Sequence, residues 1–223
     1  MKIAVYGKTP ESKAQLRKEI VGAGFAYDEK KPDAVISYGG DGTFLKSESA
    51  YPGIPKALFR YSSICKKCHN LPITHALELL KKRKYTITEH EKLEANGLTA
   101  TNEIAVRNKL PTHAIRFTLT VNGKRIGKEF IGDGIIIATP FGSTAYFHSI
   151  ARKTFTKGIG VAFNNTTVQH PPLFLPEKSK ILLTITRGEA FAAADNNPKM
   201  LTLKAGNTIM IKISQKKARL ISF

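Results

Sequence analysis

Three short stretches carry residue types suited to nucleotide and phosphate chemistry. The first is Gly39-Gly40-Asp41-Gly42-Thr43, directly after an apolar run beginning at Ala34. Glycines let a backbone approach an anion closely, and a strand running into a helix start offers free N–H groups to a phosphate. Asp41 would repel a bare phosphate, so it makes sense only with a proton to accept or a Mg²⁺ to share. That combination suggests phosphoryl transfer. A plain strand-to-helix turn with Asp41 as its cap explains the same five residues and stays open at this point. A P-loop is excluded, because no G-x-x-x-x-G-K-[ST] occurs.

The second stretch is Asn102-Glu103, ahead of the strand-like "IAVRN". An amide beside a carboxylate can recognise an adenine edge or a ribose hydroxyl, although the same pair also serves as an ordinary turn. The third, "GDGIIIATPFGSTAYFHS" (Gly132 to Ser149), is more distinctive. Asp133 opens a strand that passes through Thr139-Pro140 into a Gly-Ser-Thr turn, and a helix is expected from "TAYFHS". Ser143 or Thr144 can cap that helix, which makes a polar, anion-tolerant pocket, and Tyr146 offers a flat stacking surface.

These stretches need elements to position them. "KIAVYG" reads as a buried strand, "PESKAQLRKEIVGAG" as an amphipathic helix with Pro10 near its start, and "DAVISYG" as a second strand feeding the glycine loop. "GTFLKSESAY" can start a helix, "GIPKALF" a third strand, and "THALELLKKRK" a helix with Thr74 as its N-cap. From about residue 85 the pattern becomes a succession of short β-branched runs. Asn122-Gly123 is a strong hairpin signal there, and Asn96-Gly97 a weaker one. An α/β domain followed by an antiparallel β domain is the expected architecture.

The net charge of +18 favours encounter with anions such as nucleotides. Basic residues are dispersed, and "KKRK" at a helix end suits the helix dipole, so nucleic-acid binding is not expected. Only five aspartates occur, Asp28, Asp33, Asp41, Asp133 and Asp195. The opening "MKIAVYGKTP" is too short an apolar run for a signal peptide, and no run approaches the ~18 apolar residues of a membrane span. A cytoplasmic location without membrane contact is expected. "CKKCH" (Cys65 to His69) matches the C-x-x-C-H form of a haem attachment site, which would also need a distal ligand and export. Zinc would need two further ligands, and His75 is the only close candidate. Structural or incidental thiols are expected instead, with no metal ligands assigned, and reducing conditions argue against a fixed disulfide.

In order, the three blocks resemble the NAD kinase family, whose signatures are GGDGT, an N-E pair and D-G-x-x-x-(S)TPTGSTAY followed shortly by Ser. Here they read "GGDGT", "NE" and "DGIIIATPFGSTAY". GGDGT has close variants in lipid kinases and phosphofructokinases; GSTAY with the upstream Asp-Gly is the specific part. The resemblance spans roughly residues 2 to 213. It implies a Rossmann-like, three-layer α/β domain (1–84) and an antiparallel β-sandwich domain (85–223), with the substrate between them and the extreme C-terminus free to return to the first domain.

The activity it implies is Mg²⁺-dependent transfer of a terminal phosphoryl group, from ATP or polyphosphate, to the 2′-hydroxyl of the adenosine ribose of NAD. By the same resemblance Asp41 is the base, and Gly40, Gly42 and Thr43 cradle donor phosphates. Asn102 and Glu103 hold adenosine, Asp133 the nicotinamide-ribose side, and Thr144, Ala145, Tyr146, Phe147, His148 and Ser149 the pocket wall. A homo-oligomer, dimer or tetramer, is the expected assembly. Departures from the family pattern fall mainly on the donor side. "PKALFRYSSICKKCHN" replaces "PILGINTGxLGFL", and Ile150-Ala151-Arg152 replaces Ala-Gly-Gly, which makes Arg152 and Lys153 candidate phosphate contacts. Ala138 and Phe141 stand in the STPTG run, and the late "DGQ" is Asp195-Asn196-Asn197. Those departures keep open a non-catalytic NAD(P)-binding regulator. A lipid kinase would need a Gly-Thr-Gly-Asn-Asp-type segment after the third strand, and this chain has none.

Overall fold

Near-continuous apolar strands alternate with helices at the start of the chain, the pattern of a parallel sheet covered on both faces. The computed structural model describes residues 1–7, 9–61, 65 and 67–223. Ser62, Ser63, Ile64 and Lys66 of the divergent donor-side segment lie outside the described residues. The chain divides into two units, one of Met1–His90 with Lys217–Phe223 and one of Glu91–Lys216.

In the first unit the elements are β1 (Lys2–Gly7), α1 (Pro10–Gly22), β2 (Ala26–Tyr27), β3 (Ala34–Gly39), α2 (Asp41–Ala50), β4 (Lys56–Arg60) and α3 (Ile73–Lys81). The strands lie in the order β2-β1-β3-β4, all parallel, and Leu220 pairs in parallel with Lys56. One face of this sheet presents Ile3, Val5, Ile36 and Phe59 to Leu16 and Ile20 of α1 and Leu77 and Leu80 of α3. Alternation along the strands turns Ala4, Val35 and Leu58 the other way. There α2 packs on β3 and β1 and buries Phe44 and Leu45. The result is the three-layer, Rossmann-like arrangement.

Helix α1 starts at a capping box, in which the Thr9 hydroxyl accepts the Ser12 N–H at 3.2 Å and Pro10 occupies the first helical position. Helix α3 corrects the expected cap. Pro72 takes the N-cap position with φ −60° and no side-chain bond, so Thr74 falls inside the first turn. Proline's preset φ suits a helix entry, so the helix begins two residues earlier than the Thr74 signal suggests. One charged pair is buried here. Lys56 is fully buried in β4 and bonds Glu48, and its Nζ also donates to the carbonyls of Tyr51 (2.7 Å) and Ile54 (2.8 Å).

The second unit is an antiparallel β-sandwich. It takes in the later part of β5 (Thr86–Ala95), then β6 (Leu98–Ala100), β7 (Glu103–Asn108), β8 (Ile115–Val121) and the long β9 (Lys124–Ala138). After helix α4 (Tyr146–Ala151) come β10 (Ile159–Thr166), β11 (Leu173–Leu175), β12 (Ile181–Arg187), β13 (Glu189–Ala194), β14 (Met200–Lys204) and most of β15 (Thr208–Ser222). Both Asn-Gly pairs form the expected hairpins, with φ of 51° and 81° at Asn122-Gly123 and 46° and 84° at Asn96-Gly97. The sequence pattern does not announce β10 or β13. Their glycine, asparagine and alanine content gives little β-branched signal, and they form because β9 and β7 offer them edges.

Strand β9 joins the two sheets. Its first half pairs with β8, and its second half lies between β7 and β10. The change of partner falls at Gly132-Asp133-Gly134. A Cβ on Gly132 would lie 2.7 Å from the Asn165 carbonyl, and one on Gly134 would lie 2.0 Å from the Val106 carbonyl. Both glycines are therefore required by backbone approach, whatever Asp133 does. The core between the sheets is aliphatic and aromatic, with Ile104, Val106, Phe117, Leu119, Ile135, Ile137, Val161, Leu183 and Ile209 at its centre. Among the described residues no helix is long and apolar enough to cross a membrane.

Candidate active site

In the first unit, β1 leads through α1 outward to β2, while β3 leads through α2 the other way to β4. The carboxyl ends of β1 and β3 therefore flank a topological switch point, the place where open α/β sheets bind ligands. The glycine loop sits there. Gly40 is the extended N-cap of α2 (φ −132°), Asp41 is its first residue, and the Gly40 N–H donates to the Thr43 hydroxyl at 3.3 Å. Gly39 admits no side chain, since a Cβ would fall 2.0 Å from Thr43 Oγ1 and 2.6 Å from its Cβ. Asp41 and Gly42 are exposed, and Gly40 and Thr43 are half-buried. On the α1 side, a cleft of about 540 Å³ is lined by Thr9, Ser12, Gln15, Tyr38, Tyr61 and others, none of them a residue of the loop.

The thiols are not free. Cys65 and Cys68 form a disulfide, which corrects the sequence expectation; their Cα atoms stand 5.6 Å apart, within the range a disulfide spans. Cys65 Sγ lies 3.4 Å from Asp41 Oδ1. His69, the last residue of the C-x-x-C-H run, faces elsewhere, with Nε2 2.8 Å from the Ile221 carbonyl.

In the second unit, the Asn-Glu pair and the Thr-Pro-Phe-Gly turn share one network. The Thr139 hydroxyl donates to the Thr101 carbonyl at 2.5 Å, the Thr139 N–H donates to the Asn102 carbonyl at 2.9 Å, and Gly142 N–H donates back to the Thr139 hydroxyl at 3.1 Å. A Cβ on Gly142 would sit 2.2 Å from the Asn102 carbonyl, so the turn can lie flat on Asn102 only with glycine there.

Asp195 closes the network. Its carboxylate accepts the backbone N–H groups of Thr101 (2.7 Å), Asn102 (2.8 Å) and Glu103 (3.2 Å), and its own N–H donates to the Glu103 carbonyl at 3.0 Å. Burial pushes the Asp195 carboxyl up from its usual range, against the three N–H bonds and the nearby Lys92 charge, which pull it down. Sequence reading singled out Asp195 without giving it a role. The available signal was a scarce acid in αL conformation-friendly company, Asp-Asn-Asn, directly after a strand. The clamp leaves Asn102 92% buried, that is 8% exposed, with its side-chain oxygen Oδ1 buried and without a hydrogen-bond partner among the described residues. Such an atom can take a donor from an ordered water or a ligand.

The other expected site residues divide. Asp133 lies five residues before Ala138 on β9, roughly 16 Å along the strand from the partner of Glu103. It is bonded instead by two amides, Asn165 (2.9 Å) and Asn108 (3.3 Å). A short 3₁₀ turn (Phe141–Thr144) precedes α4. Thr144, His148 and Ser149 are exposed, Ala145 and Tyr146 half-buried, and the Ser149 hydroxyl donates to the Tyr146 carbonyl at 2.7 Å. Phe147 is fully buried on Ile136, Ala138 and Ala162, and packs edge-on to Phe155 and Phe174. Arg152 and Lys153 are exposed, and Arg152 ends α4 at φ 53°. Among the described residues no group of three or more His, Cys, Asp or Glu gathers as a metal site. A lone Asp41 carboxylate in an exposed glycine loop nevertheless fits Mg²⁺, which is commonly held by one or two carboxylates plus substrate phosphates.

Residues 101–223 match the model of the ATP-NAD kinase C-terminal domain. The NAD kinase of Sulfurisphaera tokodaii is 30% identical over an alignment covering 100% of this chain and 96% of that one. The NAD kinase of Flavobacterium psychrophilum is 27% identical, over 86% of this chain and 71% of its own. Among solved structures, an NAD kinase from Archaeoglobus fulgidus in complex with ATP superposes with a TM-score of 0.86 at 20% identity, covering 99% of this chain and 93% of that one. Yeast NADH kinase complexed with NADH gives 0.87 at 16% identity, over 100% and 83%. The fold and the matching family model are those of a nucleotide phosphotransferase. The chain belongs to the NAD kinase family, and its activity in general terms is that of an NAD kinase.

Proposed function

We propose that this chain transfers the terminal phosphoryl group of ATP, or of polyphosphate, to the 2′-hydroxyl of the adenosine ribose of NAD, with Asp41 as general base. The observation that carries the reading is the position of Asp41: the exposed first residue of α2, at the switch point, between two glycines. A carboxylate there can accept the hydroxyl proton while the backbone N–H groups of Gly40, Gly42 and Thr43 hold phosphate oxygens. The hydroxyl oxygen then bonds the terminal phosphorus, and the bond to the remainder of the donor breaks. Mg²⁺ would supply charge neutralisation at the donor phosphates, and Asp41 is the carboxylate that would share it.

Asn102 supports the acceptor side of the reading. Its buried, unpartnered Oδ1 suits an N–H donor such as the adenine amino group, and Glu103 beside it suits a ribose hydroxyl. Asp133 would serve the nicotinamide ribose, and the exposed part of Thr144–Ser149 the pocket wall. Phe147 would contribute by supporting that wall from the core. The working assembly in this reading is a cytoplasmic homo-oligomer, dimer or tetramer.

The test is incubation of the protein with NAD, Mg²⁺ and either ATP or polyphosphate, with NADP detected by an NADP-specific dehydrogenase. Asp41→Asn should lower turnover by about 10²-fold or more, the usual worth of a general base, while calorimetry shows NAD binding retained. Wild-type-like turnover in Asp41→Asn would sink the assignment of the base.

A further inference from the structure

Three features of the first unit meet at one point. The sequence spaces two cysteines as C-x-x-C, the spacing of many reversible dithiol–disulfide pairs. The structure joins them, Cys65 to Cys68, on the connection between β4 and α3. Cys65 Sγ then stands 3.4 Å from Asp41 Oδ1, across 24 residues of sequence, at an exposed place. Neither cysteine has a part in holding nucleotide or phosphate in the reading above.

We infer that Cys65–Cys68 is a thiol–disulfide site that regulates Asp41, slowing phosphoryl transfer when reduced and releasing it when oxidised. The inference rests on Asp41 being the general base. A disulfide sulfur carries no proton, so in the oxidised form Cys65 has nothing to donate and the Asp41 carboxylate is left to take the substrate proton. In the dithiol form the same sulfur is a thiol, and 3.4 Å is ordinary for an S–H···O bond to a carboxylate. That bond occupies a lone pair the substrate hydroxyl needs.

The redox step balances with a dithiol reductant. One of its thiolates attacks the disulfide, the Cys65–Cys68 bond breaks, and a mixed disulfide forms. The second thiol of the reductant closes on the first. Two electrons and two protons end on Cys65 and Cys68, and the reductant leaves as its own disulfide. Half-buried Cys65 and Cys68 and exposed Asp41 put the pair within reach of such a reagent.

The test uses the full chain with dithiothreitol or its oxidised cyclic form, and thiol titration establishes complete conversion in each state. NADP formation is then followed at saturating NAD and ATP. The disulfide form should turn over roughly tenfold faster than the dithiol form, reversibly, the worth of about one hydrogen bond to a charged group. KM for NAD should not change. Cys65→Ala, with no donor, should be fast in both conditions; Cys68→Ala, whose Cys65 thiol cannot pair, should be slow in both, with circular dichroism confirming that each variant is folded.

Equal turnover in the two fully converted wild-type states, or Cys68→Ala as fast as Cys65→Ala, would overturn the inference. The wild-type comparison needs no substitution and stands even where a variant misfolds. Asp41→Asn separates the two readings. If it is inactive while both redox states are equally fast, only the regulatory inference fails; if it turns over like wild type, the base assignment fails first.

Discussion

The carboxylate of Asp195 accepts the backbone N–H of Asn102 at 2.8 Å, across 93 residues of sequence. The same carboxylate takes the N–H groups on either side, so the whole Thr101-Asn102-Glu103 turn is held from one point. Asp195→Asn keeps one acceptor oxygen but sets an amide N–H against a backbone N–H. Stability should fall by about 1–3 kcal/mol, the cost of buried donors losing a charged acceptor. If the clamp also positions Asn102, KM for NAD should rise more than kcat falls. Urea denaturation and steady-state kinetics check the two halves separately.

Gly142 tests the same turn from its other side. Its Cβ would meet the Asn102 carbonyl at 2.2 Å and the carbonyl carbon at 2.5 Å, both backbone atoms that cannot swing aside. Gly142→Ala should cost about 1–3 kcal/mol by overpacking and raise KM for NAD. Gly22, at the end of α1, has nothing within 4 Å of its Cβ position. Gly22→Ala should be neutral or stabilising by up to about 1 kcal/mol, because alanine loses less backbone entropy in a helix. Thermal unfolding of the two variants side by side gives the comparison.

Lys56 and Glu48 form a buried ion pair whose ammonium is also held by two carbonyls. Lys56→Met leaves the Glu48 carboxylate buried without its cation and should destabilise by about 3–5 kcal/mol. Replacing both, Lys56→Met with Glu48→Leu, should recover much of that loss, because no charge is left stranded. A double-mutant cycle in urea measures the recovery; additive losses would show that the pair is not coupled.

Asp28 gives a pH dependence with a definite sign. The backbone N–H of Lys31, then the Lys2 ammonium and the Lys30 N–H, hold its carboxyl down from 3.8 to about 2. A carboxyl depressed in the folded state contributes stability above its unfolded value and loses it as pH falls through the folded one. The stability gap between wild type and Asp28→Asn should therefore be constant above pH 3.8, shrink towards pH 2, and vanish below. Denaturation curves across that window check it, and a gap that widens on acidification would reverse the sign.

Much of the fold was legible because its signals are local. Pro10 marks the start of α1, Asn122-Gly123 marks a hairpin, and the apolar run ending at Gly39 marks the strand that carries the glycine loop. Strands β10 and β13 were not legible, since "GVAFNN" and "EAFAAA" depend on neighbouring edges rather than on their own propensity. The cap of α3 was misread because Pro72 preceded the stronger-looking Thr74.

For the site, the sequence by itself determined which residue types are available and in what order: a glycine loop with one acid, an amide–carboxylate pair, and a Gly-Ser-Thr turn. Those facts are short-range, and they suffice to name a chemistry. Only the tertiary structure decided that Asp195 clamps Asn102, that Gly142 lies flat upon it, that Phe147 points into the core, and that Cys65 comes to rest against Asp41. Each of these depends on strand register and connection path across tens of residues. A sequence period reports which face a residue occupies; it does not report what stands opposite, because that is set by how the sheets pair.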